Sequence, residues 1–244
     1  MRALRSYRLL VRWQGLRLKN FLPLAMVVQA LFAFGIVIGY PLLFPDMDET
    51  TMLFLATGAP AITLITMGLV LLPQVVSQAK IEGSLEYMRS LPVPRMAYLA
   101  ADLTVWLAIV LPGVVFAVLV GIWAFGLELS VSVAIIPAAL LVAVTSAAVG
   151  YALASLLPPM IAMLLTQVLV FAVLLFSPIN FPADRLPDWL QSVHAVLPVA
   201  AMGEVIRGSL ASTTFPLTIG PFLFLGAWCV VCLGLSYLTL QRRA

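Results

Sequence analysis

Long apolar runs dominate the chain, as in residues 96–126, which read MAYLAADLTVWLAIVLPGVVFAVLVGIWAFG and contain one charged side chain, Asp102. An α-helix needs about 20 apolar residues to cross roughly 30 Å of hydrocarbon, so this run is longer than a perpendicular span requires. It also lacks the alternation of polar and apolar residues that a transmembrane β-strand shows. The run therefore predicts a transmembrane helix that tilts or projects beyond the bilayer.

Five further runs have the same character. Together the predicted spans are residues 21–44, 52–76, 96–126, 131–157, 159–180 and 216–240. Of the 244 residues, 63% are hydrophobic and 9% are charged, whereas soluble domains carry about 25% charged residues. Backbone N–H and C=O groups find no partner in lipid, so long continuous apolar segments are expected to be helical. The composition thus predicts an all-α polytopic membrane protein with a single transmembrane domain over residues 1–244.

The distribution of basic residues predicts the orientation. Cytoplasmic loops of membrane proteins hold an excess of lysine and arginine. Eleven of the 13 basic residues lie in the N-terminal segment, in the loop after the second run and in the C-terminal tail, whereas only Arg185 and Arg207 lie on the opposite side. Both termini are therefore expected in the cytoplasm, in agreement with an even number of spans.

Residues 1–20 have an amphipathic pattern of their own. At helical spacing one side is basic and the other apolar; the basic members are Arg2, Arg5, Arg8, Arg12 and Lys19, and the apolar ones Leu4, Tyr7, Val11 and Leu18. This pattern predicts a helix lying in the cytoplasmic membrane interface beside anionic lipid headgroups. A basic tail that only sets the topology is the alternative.

The cytoplasmic stretch 78–92, QAKIEGSLEYMRSLP, is unlike an ordinary connector. Glu82 and Glu86 are i, i+4 neighbours, and Leu85, Met88 and Leu91 form an apolar side at helical spacing. Pro92 then ends the helical pattern. These features predict a short helix that docks in a groove of a soluble partner. A solvated loop with incidental charges is the alternative.

The segment 178–212, on the opposite side of the membrane, is interrupted by proline. Four prolines divide it into apolar pieces too short to span, namely Pro178, Pro182, Pro187 and Pro198. Trp189 has the position of an interfacial anchor, and the spacing of Glu204 and Arg207 allows an ion pair on the second piece. We expect two short helices that enter the outer leaflet; an amphipathic outer loop is the alternative.

These two loops resemble those of the permease subunits of type-2 ATP-binding-cassette exporters. The cytoplasmic match is Glu82-Gly83-Ser84-Leu85-Glu86, followed by Ser90-Leu91-Pro92-Val93, although Ser84 stands where threonine is commoner. The outer match runs from Ser177-Pro178 to Glu204-Val205-Ile206-Arg207. The resemblance implies a coupling helix that contacts the ATPase through Glu82, Gly83, Leu85, Glu86, Met88 and Arg89. It also implies an outer gate of re-entrant helices that includes Pro178, Pro182, Pro187, Trp189, Pro198, Glu204 and Arg207.

The resemblance implies the partners and the location as well. Two ATPase subunits and a second permease subunit, identical or paralogous, are expected in a bacterial cytoplasmic membrane, with lipid around them and no nucleic acid. The chain has no Gly-x-x-x-x-Gly-Lys-Ser/Thr loop to hold ATP phosphates. ATP and Mg²⁺ are therefore expected on the ATPase, and this chain is expected to be neither an enzyme nor a cofactor-binding subunit.

The substrate path implied by the resemblance runs along the first, second and fifth spans. Its candidate residues are Gln29, Phe32, Thr63, Met67, Thr166, Gln167 and Phe171, which suit an amphipathic or lipophilic solute such as a drug or antibiotic, or secondly a lipid or lipid-linked glycan. Packing between helices is the alternative role for these residues. Two other functions stay open: an ion-coupled secondary transporter, which would depend on Asp102, and a membrane assembly subunit without transport.

Overall fold

The computed structural model describes residues 2–19, 22–39, 42, 48–84, 87, 95–126 and 129–241, and these contain helices and turns but no β-strand. The first half of the chain forms α1 (Arg2–Leu18), α2 (Leu22–Val37), α3 (Glu49–Ile81) and α4 (Arg95–Phe125). The second half forms α5 (Ile135–Leu156), α6 (Pro159–Phe176), a 3₁₀ turn (Ala183–Arg185), α7 (Asp188–Val196), α8 (Pro198–Leu210) and α9 (Ile219–Gln241). The predicted all-α fold is confirmed.

Within the described ranges, five helices are long and apolar enough to cross a membrane: α3, α4, α5, α6 and α9. The first predicted span, 21–44, contains α2, an apolar helix of 16 residues. The second, 52–76, is longer in the structure, because α3 runs unbroken through residues 49–81. The fifth, 159–180, is shorter, because α6 ends at Phe176. Pro178 disfavours helical backbone in the residue before it, which accounts for that early end.

Helix α3 lies at the centre of the bundle. It contacts α2, α4, α5, α6 and α8. In its most apolar stretch of 18 residues, 94% is buried inside the protein, whereas the corresponding stretches of α6 and α9 are each 17% buried. Small residues such as Ala56, Gly58, Ala59 and Ala61 allow its neighbours to approach closely. The exposed surfaces of α6 and α9 are mostly apolar, as expected for surfaces that contact lipid or another membrane subunit.

A π-helical segment, Met67–Leu71, interrupts the α-helical hydrogen-bonding pattern of α3. It ends two residues before Pro73, which has no N–H and whose ring would clash with a carbonyl one turn earlier in a regular α-helix. At this level α5 crosses α3 at backbone contact distance, because a Cβ on Gly150 would lie 2.1 Å from the Gly68 carbonyl oxygen. The Ser146 hydroxyl, from α5, donates to the Leu64 carbonyl at 3.3 Å.

Helix α1 packs on α4. The Tyr7 and Thr104 hydroxyls are hydrogen-bonded at 2.9 Å, and Leu10 and Gln14 are buried. Leu4, which the sequence places on the apolar side, is 61% exposed. The side of α1 that faces the bundle therefore begins at Tyr7 rather than at Leu4.

Candidate functional site

The stretch 78–92 begins in the last turn of α3, which ends at Ile81, and Ser84 and Tyr87 beyond it are helical. Glu82 is the C-cap residue of α3, its amide donates to the Gln78 carbonyl, and its carboxylate accepts from the Gln78 side chain at 2.9 Å. Gly83 follows with a φ of 71°, a left-handed conformation that glycine adopts without steric cost. The Tyr87 amide then donates to the Gly83 carbonyl at 3.0 Å. Of the predicted coupling residues, Leu85, Glu86, Met88 and Arg89 lie outside the described ranges.

Lys80, in the last turn of α3, connects this loop to the end of α5. Its ammonium group donates to the carbonyl oxygens of Ala154, Ser155 at 3.2 Å and Leu157 at 3.3 Å. Helix α5 ends at Leu156 and is followed by Leu157 and two prolines, without the glycine that commonly closes the last turn. The lysine thus supplies hydrogen bonds that the end of α5 does not make itself.

At the other end of α3, residues 177–180 form a buried, non-helical connection between α6 and α7. The Asn180 side chain donates to the Leu174 carbonyl at 3.3 Å, near the end of α6. The backbone of Ile179 lies between α3 and α8, because a Cβ on Gly58 would be 2.6 Å from the Ile179 carbonyl oxygen. A Cβ on Gly203 would be 3.0 Å from the Ile179 side chain. Gly58 is nine residues into α3, about 14 Å from its start, so non-helical backbone at this depth is enclosed by protein.

Helices α7 and α8 form a broken pair with an angle of 80° between them. Pro187 precedes α7 and Pro198 begins α8, positions at which proline is compatible with helix start. The indole N–H of Trp228, on α9, donates to the Val196 carbonyl at the bend at 3.2 Å. His194 is hydrogen-bonded to the Phe176 carbonyl at 2.8 Å.

The predicted outer-gate residues differ in their surroundings. Pro178 and Pro198 are buried, Pro182 is half-buried, and Pro187 is exposed. Trp189 is 67% exposed on α7. The prolines therefore stand in the turns and at the helix starts of the pair, while the indole of Trp189 faces outward.

Arg207, on α8, has partners that the sequence spacing did not reveal. The side chain is 95% buried, and it donates to the Ile179 carbonyl at 2.7 Å. Its guanidinium carbon lies 3.3 Å from the centroid of the Phe54 ring and 5.6 Å from that of Phe215, distances typical of cation–π contacts. Glu204 is exposed, and the two side chains form no ion pair in the part of the chain that the structure describes.

The candidate path residues fall into two groups. Those that pack inside the subunit are Gln29, Thr63, Met67 and Thr166, all buried. Gln29 donates to the Ile109 carbonyl at 3.2 Å, whereas Thr63 and Thr166 donate to carbonyls of their own helices. Gln167 and Phe171 are exposed on α6, and Phe32 is half-buried on α2.

Asp102 lies at the same end of the bundle as Lys80. It is half-buried on α4 and lines a small cavity of about 30 Å³ together with Gln14, Val76 and Ala79. Ala79 is adjacent to Lys80 in the last turn of α3. This position is close to the end of the helix bundle, whereas the ionisable groups of ion-coupled carriers lie near the middle of the membrane.

Comparison with known proteins gives one clear match. The model of the ABC-2 type transporter membrane family matches residues 2–211, which contain every helix from α1 to α8. No curated protein matches the chain.

Proposed function

The chain belongs to the ABC-2 type transporter family as a multi-pass membrane permease, and from this premise we propose that it is the membrane subunit of an ATP-driven exporter. In this proposal two copies of a separate ATPase subunit bind ATP and Mg²⁺ on the cytoplasmic side. A second permease subunit, identical or paralogous, completes the transporter. The membrane is the bacterial cytoplasmic membrane, with both termini of this chain in the cytoplasm, as the distribution of lysine and arginine favours.

The observation that carries the proposal is the connection made by Lys80. The loop that begins at Glu82 contains the proposed contact with the ATPase, and Lys80 joins the end of α3 just before it to the end of α5. A displacement of this loop would therefore move α3 and α5 together. Since α3 is the central helix and contacts α8 at its other end, the displacement has a packed route to the proposed outer gate.

ATP binding acts on this route only if it favours one conformation over another. In the proposed mechanism, closure of the two ATPases displaces the coupling loops, and the changed contacts favour the conformation in which the two permease subunits separate at the outer side. Glu82 and Glu86 are the proposed acidic contacts with the ATPase, and Gly83 sets the direction in which the loop leaves α3.

The proposed substrate path lies along α6, where Gln167 and Phe171 are exposed. Phe171 belongs to an exposed row that also contains Met160, Leu164, Val168 and Leu175. A surface with one amide, one aromatic ring, one thioether and several aliphatic groups suits an amphipathic or lipophilic solute. A drug or antibiotic is the first choice for the substrate, and a lipid or lipid-linked glycan is the second.

Isolation of the chain from its native membrane, followed by an ATPase assay, tests this function. We expect an ATPase with phosphate-binding motifs to co-purify in stoichiometric amount, and we expect vanadate to inhibit its activity. Double replacement of Glu82 and Glu86 by Ala should abolish stimulation of the ATPase by substrate. A chain that purifies alone and transports under a proton gradient without ATP would refute the proposal and favour an ion-coupled carrier.

A further inference from the structure

A cleft of about 180 Å³ lies between α8 and the segment that leads into α9. Charged, polar and apolar side chains line it, among them Glu204, Arg207, Phe215, Leu217, Thr218 and Pro221. Its volume is below the roughly 300 Å³ at which pockets for drug-sized molecules begin. The cleft therefore has room for a small group, or for one end of a larger molecule.

If α3 is centred on the bilayer, the cleft is expected near the lipid headgroups. Its Arg207 stacks on Phe54, which is five residues, or about 7.5 Å, from the start of α3. The 33 residues of α3 extend over about 50 Å. This is slightly more than the thickness of a bilayer, which is about 40–45 Å including two headgroup layers of roughly 5–7 Å each. Phe54 and the cleft are thus near the boundary between headgroups and hydrocarbon.

Arg207 presents a cation to this cleft. One guanidinium nitrogen donates to the Ile179 carbonyl, and Nε is buried without a hydrogen-bond partner. A buried guanidinium without an anion in hydrogen-bond contact is costly, and phosphate oxygens are strong acceptors for arginine at short range. A phosphate in the cleft would supply the negative charge that the surrounding rings of Phe54 and Phe215 supply only in part.

Glu204 presents the opposite charge. It precedes Arg207 by one helical turn on α8, is exposed, and accepts no hydrogen bond from the described residues. A simple anion in the cleft would be repelled by Glu204, and a simple cation by Arg207. A molecule with both charges a few ångströms apart avoids both penalties.

We propose that this cleft binds the headgroup of a phospholipid that carries a primary ammonium group, such as phosphatidylethanolamine. The phosphate lies beside Arg207, and the ammonium group donates to the Glu204 carboxylate. Phe215, Leu217 and Pro221 contact the glycerol and the first acyl carbons, while the chains stay in the bilayer. A trimethylated choline headgroup is larger and donates no N–H hydrogen bond, so it binds less well. This site is separate from the proposed substrate path on α6.

Lipid titration of the purified transporter, with its co-purifying partners, tests the proposal. Short-chain phosphatidylethanolamine, phosphatidylcholine and phosphatidylglycerol are added separately, and binding is followed by native mass spectrometry and thermal stability. We expect phosphatidylethanolamine to bind about tenfold more tightly than the other two. Glu204→Gln should remove this preference, because it removes one charge-assisted hydrogen bond, an effect of about tenfold.

Two further variants separate lipid binding from folding. Leu217 is 39% exposed, so Leu217→Trp should fill the cleft and weaken phosphatidylethanolamine binding without changing a charge. Asp184→Asn makes the same change of charge as Glu204→Gln at an exposed residue outside the cleft, and it should leave lipid binding unchanged. Both cleft variants alter exposed side chains, so the test does not depend on replacing the buried Arg207.

Three results would overturn the proposal. Equal binding of the three lipids in the parent protein would show that the cleft does not recognise a headgroup. A preference for phosphatidylglycerol that increases in Glu204→Gln would show a site for a simple anion. Binding of soluble glycerophosphoethanolamine as tight as that of the lipid would assign the cleft to a soluble zwitterion.

Discussion

Replacement of Lys80 by Met should separate ATP hydrolysis from transport. The methionine keeps a similar volume but removes every hydrogen bond from the ammonium group to the carbonyls of Ala154, Ser155 and Leu157. Ala154 is fully buried, so its carbonyl would lose this donor without gaining water. A buried acceptor left in this state costs about 1–3 kcal/mol, and loss of a cation at a helix C-terminus costs about 0.3–1 kcal/mol more.

These contributions are not additive in full, so we expect a loss of about 2–3 kcal/mol in the free energy of unfolding. For a chain of this size that corresponds to a decrease in Tm of about 5–10 °C. Because α3 and α5 would no longer move together, stimulation of the ATPase by substrate should fall while its basal activity remains. Thermal unfolding of the purified transporter and ATPase assays with and without substrate measure the two effects.

Two variants make the Lys80 result specific. Lys80→Arg keeps a cation that donates to the same carbonyls, and it should retain most of the stability and coupling. Lys19→Met removes the same charge at an exposed residue after α1 and should change Tm by less than about 1 °C, since surface substitutions are mostly near neutral. A Lys80→Met protein with unchanged Tm and normal substrate stimulation would refute a structural connection through this side chain.

Three further predictions concern the backbone and the outer segment. Gly83→Val should reduce coupling and destabilise the loop by about 1–2 kcal/mol, because a β-branched residue is strained at a φ of 71°; substrate-stimulated ATPase activity measures this, and normal stimulation would contradict it. Gly150→Val should lower Tm strongly or prevent folding, because its side chain would meet the Gly68 carbonyl. Gly234→Ala, at an open position on α9, should be neutral or stabilising. Equal Tm values for the two variants would count against the close helix crossing. Cross-linking within residues 182–207 should block export and leave assembly with the ATPase intact, and unimpeded export in transport assays would exclude an outer gate there.

Helices whose positions depend on the composition of their own segment could be predicted from the sequence. The lengths of the apolar runs predicted the helical membrane fold, and the prolines at 187 and 198 marked where α7 and α8 begin. The predicted ends of helices were less accurate where a helix continues into polar residues beyond the apolar run. The predicted run 52–76 stopped at the first polar residues, but α3 continues to Ile81 and contains Lys80. The ammonium group of Lys80 donates hydrogen bonds to carbonyls at the end of α5.

The contacts of the candidate site could not be predicted, because they join residues distant in the sequence. Lys80 contacts carbonyls more than 70 residues later, and Arg207 contacts a carbonyl 28 residues earlier. The spacing of Glu204 and Arg207 indicated an ion pair, but the Phe54 ring on a different helix lies beside the guanidinium instead. Polar residues within a span also give the same pattern whether they line a path or pack between helices, and only the structure separates Gln29 from Gln167.

The π-helical segment of α3 determines which neighbour Lys80 can reach. Its wider turn, with Leu72 bonded back to the Met67 carbonyl, has the geometry of an α-helix with one residue inserted. Each residue rotates an α-helix by about 100°, so residues 72–81 would be rotated by roughly that angle if residues 67–71 formed regular α-helix without the loss of a residue. Lys80 would then point away from α5, although no residue of the cytoplasmic loop had changed. Relatives with a gap of one residue in this segment and a regular α-helix would therefore keep their lysine beside the end of α5, because the wider turn accommodates one extra residue.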